Sequence, residues 1–190
     1  MRIQAVAFTG PRPARLPWRE NEYAPGCVAL KKIMAAKIND FLNQGILHYL
    51  TGMAMGIDMI AAEMVLEHRK NDRRLKMHCI LPCTNQAEKW PITEQQRYRR
   101  ILDQADTICY VNREYHKDCM LERNRFMVGH ATILFAVYKG EQRSGTAATV
   151  RYARKAGLEL FILSPDTLSI THELPALAEQ KANTQKRSRD

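Results

Sequence analysis

Short apolar runs in this chain stand too far apart for hairpins, and the gaps between them carry helical periodicity. The runs lie at 3–8, 46–50, 75–81, 107–111, 133–137 and 158–163. Between the first two, Leu30, Ile33, Met34, Ile38, Phe41 and Leu42 recur at helical spacing, with Gly45 as the stop. After the second, Ile57, Ile60, Ala61, Met64 and Val65 form another apolar stripe. Segments 93–105, 119–129 and 145–156 complete the series, the last closed by Gly157. Parallel strands require a crossover connection, usually a helix, whereas antiparallel neighbours need only a tight turn. The alternation therefore predicts an α/β fold: a Rossmann-like, doubly wound, mainly parallel sheet of about six strands, with helices on both faces.

A chain of 190 residues suits a single domain. The pattern fades near Pro165, which divides the chain into a domain over 1–165 and a polar, basic tail over 166–190. Residues 171–190 read as one loose helix or a disordered segment. The segment 11–26, with four prolines, is a long loop after the first strand, and loops of that length are often functional. No apolar run approaches the roughly 20 residues that span a bilayer. The N-terminus enters a strand at once without a leader, so a cytoplasmic protein is expected.

Lys and Arg outnumber Asp and Glu by 29 to 20, a net charge of +9. This excess favours anionic partners, either phosphorylated metabolites or nucleic acid, and does not choose between them. The five cysteines (Cys27, Cys79, Cys83, Cys109, Cys119) form no tight pair. Cys79 and Cys83, with His78, His116 and Cys119, are the one grouping that suggests a metal, and reduced thiols fit the spacing better. Neither a metal nor a cofactor is expected.

Three glycine-bearing loops follow three different strands: Thr9-Gly10-Pro11-Arg12, then 51–58 (TGMAMGID), then Ser144-Gly145-Thr146. In a parallel sheet all three lie beyond the carboxyl ends of strands, where ligands bind. Glycine lets the backbone approach an anion, and helix N-termini stabilise negative charge. Ser144 and Thr146 add hydroxyl donors, and Arg12 offers a fork for phosphate or carboxylate. Gly52, Met53, Ala54 and Gly56 belong to the second loop. There Asp58 reads either as a complement to its helix N-terminus or as an acceptor or base, and Glu63 follows on the same helix. Arg123-Asn124 opens a later helix, and Trp18, Tyr23 and Trp90 read either as base-stacking groups or as loop anchors. Neither GxxxxGK[ST] nor GxGxxG occurs, which disfavours a Walker-type ATPase and an ordinary dinucleotide-binding fingerprint.

Taken in order, FTGPRP, TGMAMGID..AAE, LPC..QAEKW, CM..RNRFMV and GEQRSGTAATVRYA resemble the YpsA-like branch of the SLOG superfamily. That superfamily also holds DprA-type DNA-processing proteins and LOG nucleotide phosphoribohydrolases. The resemblance covers about 2–165 and implies a Rossmann-like fold with a pocket for a nucleotide, a nucleotide-sugar or a related signal. Residues 52–58 are similar to the DprA-type ligand loop, which implies ligand contacts for Gly52, Ala54, Gly56 and Asp58. The segment 120–124 is similar to the LOG M-x-E-R-K segment, which implies a pocket role for Arg123, with Asn124 in place of the lysine. Residues 144–146 resemble the end of PGGxGTxxE, and Thr149 stands where LOG enzymes carry glutamate.

Ligand binding or sensing is thus the leading expectation, with self-association implied by the resemblance. The first alternative is a nucleoside-phosphate N-glycosidase using Arg123 with Asp58 or Glu63. Single-stranded nucleic-acid binding is the second.

Overall fold

The computed structural model describes residues 4–175. Ile3 and residues 176–190 of the expected tail lie outside the described residues. The elements run β1 (Ala5–Thr9), α1 (Pro25–Asn43), β2 (His48–Thr51), α2 (Ile57–Arg69), β3 (Lys76–Leu81), α3 (Ile92–Leu102), β4 (Thr107–Tyr110), α4 (Cys119–His130), β5 (Ile133–Val137), α5 (Gly145–Ala156), β6 (Glu159–Leu163) and β7 (Ile170–Glu173). Each apolar run of the sequence becomes a strand, and each periodic segment becomes a helix.

The sheet order is β4-β3-β2-β1-β5-β6-β7, parallel except for β7. The chain lays β1 to β4 outward in one direction, then returns to pair β5 with the free side of β1. The order reverses between β1 and β5, and in open α/β sheets a crevice forms at the carboxyl ends of such a pair. Strand alternation divides the core. Val6 and Phe8 face the layer of α1, α2 and α3, while Ala5 and Ala7 face α4 and α5. Both faces of the central strand are thus buried, so β1 reads as a continuous apolar run rather than an alternating one.

The seventh strand differs from expectation. Residues 170–173 form an antiparallel edge on β6 where a loose helix or disordered segment was expected. Its sequence, ITHE, carries no apolar alternation because the strand is largely exposed. Side chains dock it: Arg154 forks onto the Glu173 carboxylate at 2.7 and 2.8 Å, and His172 stacks on Phe161 with centroids 4.3 Å apart.

On β2 and β3, His48 and His78 stack and share a hydrogen bond of 2.9 Å between Nδ1 and Nε2. Burial lowers the His78 pKa, His48 and Lys76 lower it further, and Asp106 opposes them. The folded state then binds fewer protons than the unfolded state near and below the ordinary value of 6.5, so stability falls as pH drops through that window. A urea midpoint that decreases more between pH 7.5 and 5.5 in the wild type than in His78→Gln is the expected result. Parallel pH profiles for the two proteins would refute it.

Candidate functional site

A cavity of about 300 Å³ opens at the carboxyl ends of β1 and β5, where the sheet order reverses. The first loop contributes Thr9, Gly10, Pro11 and Arg12. A short 3₁₀ turn at Pro13–Arg15, closed by the Leu16 N–H on the Pro13 carbonyl, brings Arg15 to the same cavity.

The second loop is built by buried polar bonds. Thr51 Oγ1 donates to the Asp58 carbonyl at 2.8 Å and accepts from the Met53 N–H at 3.2 Å. Gln86 Nε2 donates to the Met53 carbonyl at 2.6 Å and to the Gly52 carbonyl at 3.4 Å. These bonds hold Met53 at φ +55°, an uncommon conformation for a residue with a side chain. Gly56 sits at φ +93°, and a Cβ there would meet the Pro11 carbonyl oxygen at 2.7 Å. Its bare α-carbon lets the first and second loops touch, joined by the Ile57 N–H on that same carbonyl at 3.5 Å. Ala54 and Asp58 line the cavity, whereas Met53 is fully buried and Gly52 lies beneath Arg123.

Arg123 projects from α4 with its side chain only 6 % exposed. Its guanidinium lies against the Gly52 α-carbon, so closely that a Cβ there would overlap it. Nη1 stands 3.5 Å from Asp58 Oδ2, an ion pair beyond good hydrogen-bond geometry. Among the described residues, Arg123 Nε and Nη1 are buried without any hydrogen-bond partner. Burial pushes the Asp58 carboxyl above its ordinary range, while Arg123, the Ala54 N–H, Arg12 and the Gly10 N–H pull it back. Burial likewise lowers the Arg123 pKa against the pull of Asp58, yet a guanidinium stays protonated in proteins. Met120 and Asn124 complete the α4 side of the cavity.

The third loop ends in α5. Ser144 is its N-cap, accepting the Ala147 N–H at 2.9 Å, which leaves the first N–H groups of the helix uncapped beside Gly145 and Thr146. Ser144 Oγ also donates to Glu141 Oε1 at 3.0 Å, while Glu141 Oε2 is buried with no partner. Thr149 is fully buried and donates to the Gly145 carbonyl at 2.9 Å, outside the cavity lining.

Glu63 does not reach this cavity. Its carboxylate is forked by Arg97 at 2.6 and 2.8 Å, and Arg97 also holds Glu22 of the long loop. Arg97 thereby ties the first loop to α2 and α3. Gly56 lines a neighbouring cavity; of the aromatic residues, Trp18 lines that same cavity, Trp90 packs edge-on against Tyr98, and Tyr23 is almost fully exposed. The cysteines are free thiols, four of them buried, and burial pushes Cys79 up to about 12. His78 is bonded to His48, and His116 pairs with Glu122.

Sequence reasoning missed Arg15, Gln86 and Glu141. The first and last lie within three residues of predicted site positions, so proximity was a usable signal. Gln86 acts across 33 residues through backbone carbonyls, a contact with no local signature.

The YspA SLOG family model matches residues 6–168. A UPF0398 protein of Brevibacillus brevis is 29% identical over 170 residues, covering 85% of this chain and 86% of that protein. DNA processing protein A of Helicobacter pylori, described for its single-stranded DNA binding mode, superposes with a TM-score of 0.60 at 21% identity, covering 97% of this chain and 74% of that one. The DprA of Streptococcus pneumoniae gives a TM-score of 0.57 at 17% identity, over 84% of this chain and half of that one. These superpositions carry the fold. Among the described residues no helix is long and apolar enough to cross a membrane.

Proposed function

We propose that this chain, which belongs to the YspA SLOG family, binds a nucleotide or nucleotide-derived ligand by its phosphate at the β1–β5 crevice. The observation that carries the reading is the buried Arg123 guanidinium, which lines the cavity and stands 3.5 Å from Asp58, its one ion-pair partner among the described residues. With Arg12 and Arg15 beside it, the cavity carries more cationic than anionic groups, and an anion is the partner that balances them. The uncapped N-terminus of α5 and the Arg12 and Arg15 side chains add positive potential on the same cavity. Glu141 supplies a carboxylate acceptor on the same cavity, which suits a phosphate attached to a sugar rather than a bare anion.

Binding is favoured over N-glycosidic hydrolysis. Thr149 supplies no carboxylate and faces away, Glu63 is held by Arg97, and Asp58 is committed to Arg123. A second reading is single-stranded nucleic acid, supported by the net charge of +9 and by the DprA-like fold. Its backbone phosphates would use the same cationic cavity.

Gly145→Asp tests the reading. A Cβ at Gly145 meets nothing within 4 Å, and a carboxylate in the first turn stabilises a helix, so the variant should fold. Its charge would occupy the anion position. Calorimetry with ribose 5-phosphate is expected to show affinity at least about tenfold weaker than wild type. Equal affinity in a folded variant would count against the site.

A further inference from the structure

The two edges of the sheet are finished differently. At one edge, β7 carries His172 and Glu173, tied to Glu159 and Arg154, and charged side chains on an edge guard against stray strand pairing. At the other, β4 pairs with β3 alone, so its outer row of N–H and C=O groups has no strand beside it among the described residues. β4 reads Thr-Ile-Cys-Tyr, without a charge or a proline to blunt it. Its register sets Ile108 and Tyr110 beside Cys79 and Leu81, on the face that α1, α2 and α3 cover. Both are nonetheless 42 % and 48 % exposed, so that layer does not close over the edge. Cys109 lies beside Ile80 on the opposite face, where a groove of about 340 Å³ runs between β4 and the α4 residues Phe126 and His130.

We infer that β4 is a self-association edge: it pairs antiparallel with β4 of a second copy of this chain, joining two seven-stranded sheets into one. Charge favours a copy as the occupant. At +9 two copies repel over most of their surfaces, whereas β4 meets itself without opposing like charges. Asp106, just before the strand, is already held by Arg69 and Lys76. Symmetry then narrows the register. Residues opposite each other in a ladder project from the same face, so a twofold axis normal to the sheet must set one residue opposite its own copy. An axis at Cys109 sets Ile108 against the partner's Tyr110 on both sides, a β-branched side chain on an aromatic ring. An axis at Ile108 would set the Asp106 carboxylate against that ring instead. The register is therefore centred on Cys109. Four residues make a small interface, so the dimer should dissociate on dilution.

Sedimentation velocity on the full chain, over a concentration series, is expected to run from 21.9 kDa toward twice that mass. Ile108→Lys, at an exposed position, should weaken association at least about tenfold. Ile92→Lys, exposed on α3, adds the same charge elsewhere and should change nothing. Diamide should trap the dimer through Cys109, the one thiol of the five that is not buried. Opposite residues in such a ladder stand about 4.5–5.5 Å apart at Cα, within disulfide reach. Cys109→Ser and Ile108→Lys should each lose the trapped species. His130→Glu charges the groove without touching the strand edge and should leave the dimer intact. A monomer at every concentration would overturn the inference. So would a dimer that tolerates Ile108→Lys, or one that His130→Glu breaks, since the grooved face and not the edge would then be the contact.

Discussion

Gly52→Ala is expected to abolish ribose 5-phosphate binding and to cost the fold about 3 kcal/mol, although the change adds one methyl group. Gly52 is not among the positive-φ residues, so the backbone itself would accept alanine. The penalty comes from the guanidinium of Arg123, which occupies the space a Cβ would take; even Nε lies only 2.8 Å from that position. Arg123 is packed with only 5 % of its surface exposed, so the methyl group displaces it, and Asp58 loses its counter-charge. Gly145→Ala is the matched control, since its Cβ would enter open space. Urea denaturation and calorimetry on the two variants should therefore diverge sharply. If both glycine variants bind and unfold alike, the packing of Arg123 on Gly52 does not govern the site.

The contrast between these glycines marks how far sequence reading reached. Both lie in predicted ligand loops, and both were assigned ligand contacts. Gly145 lines the cavity at the helix N-terminus, while Gly52 lies beneath it as the floor on which Arg123 rests. Motif spacing locates a loop at the carboxyl end of a strand, yet it does not reveal which atoms face the cavity. Glu63 illustrates the same limit. Its place five residues after Asp58 put it on the right helix, but Arg97, on a helix further along the chain, decides where its carboxylate points. Most strands were legible because their buried runs are apolar, and the largely exposed β4 still carries Ile108, Cys109 and Tyr110. β7 was not, because an exposed edge strand is defined by its backbone pairing to β6 and by Arg154, neither of which leaves a local pattern.

Arg123→Met should unfold more readily than the wild type by about 3–5 kcal/mol at pH 7, because it strands the Asp58 carboxylate in a site 5 % exposed. The double variant Asp58→Asn with Arg123→Met should recover most of that loss. The asparagine keeps an oxygen for the Ala54 N–H and carries no charge to bury. The pH dependence has a definite sign. Burial already raises the Asp58 pKa, and losing Arg123, which lowers it, raises it further. A carboxyl with a raised folded-state pKa binds more protons folded than unfolded, so its penalty shrinks as pH falls toward the ordinary carboxyl range. The gap between wild type and Arg123→Met should accordingly narrow from pH 7 to pH 5, and the double variant should lack that dependence. Neither variant should bind ribose 5-phosphate, which separates the two roles of the arginine. It neutralises Asp58 and offers its remaining donors to the ligand. A double variant as unstable as the single, with the same pH profile, would show that the two residues are not energetically coupled.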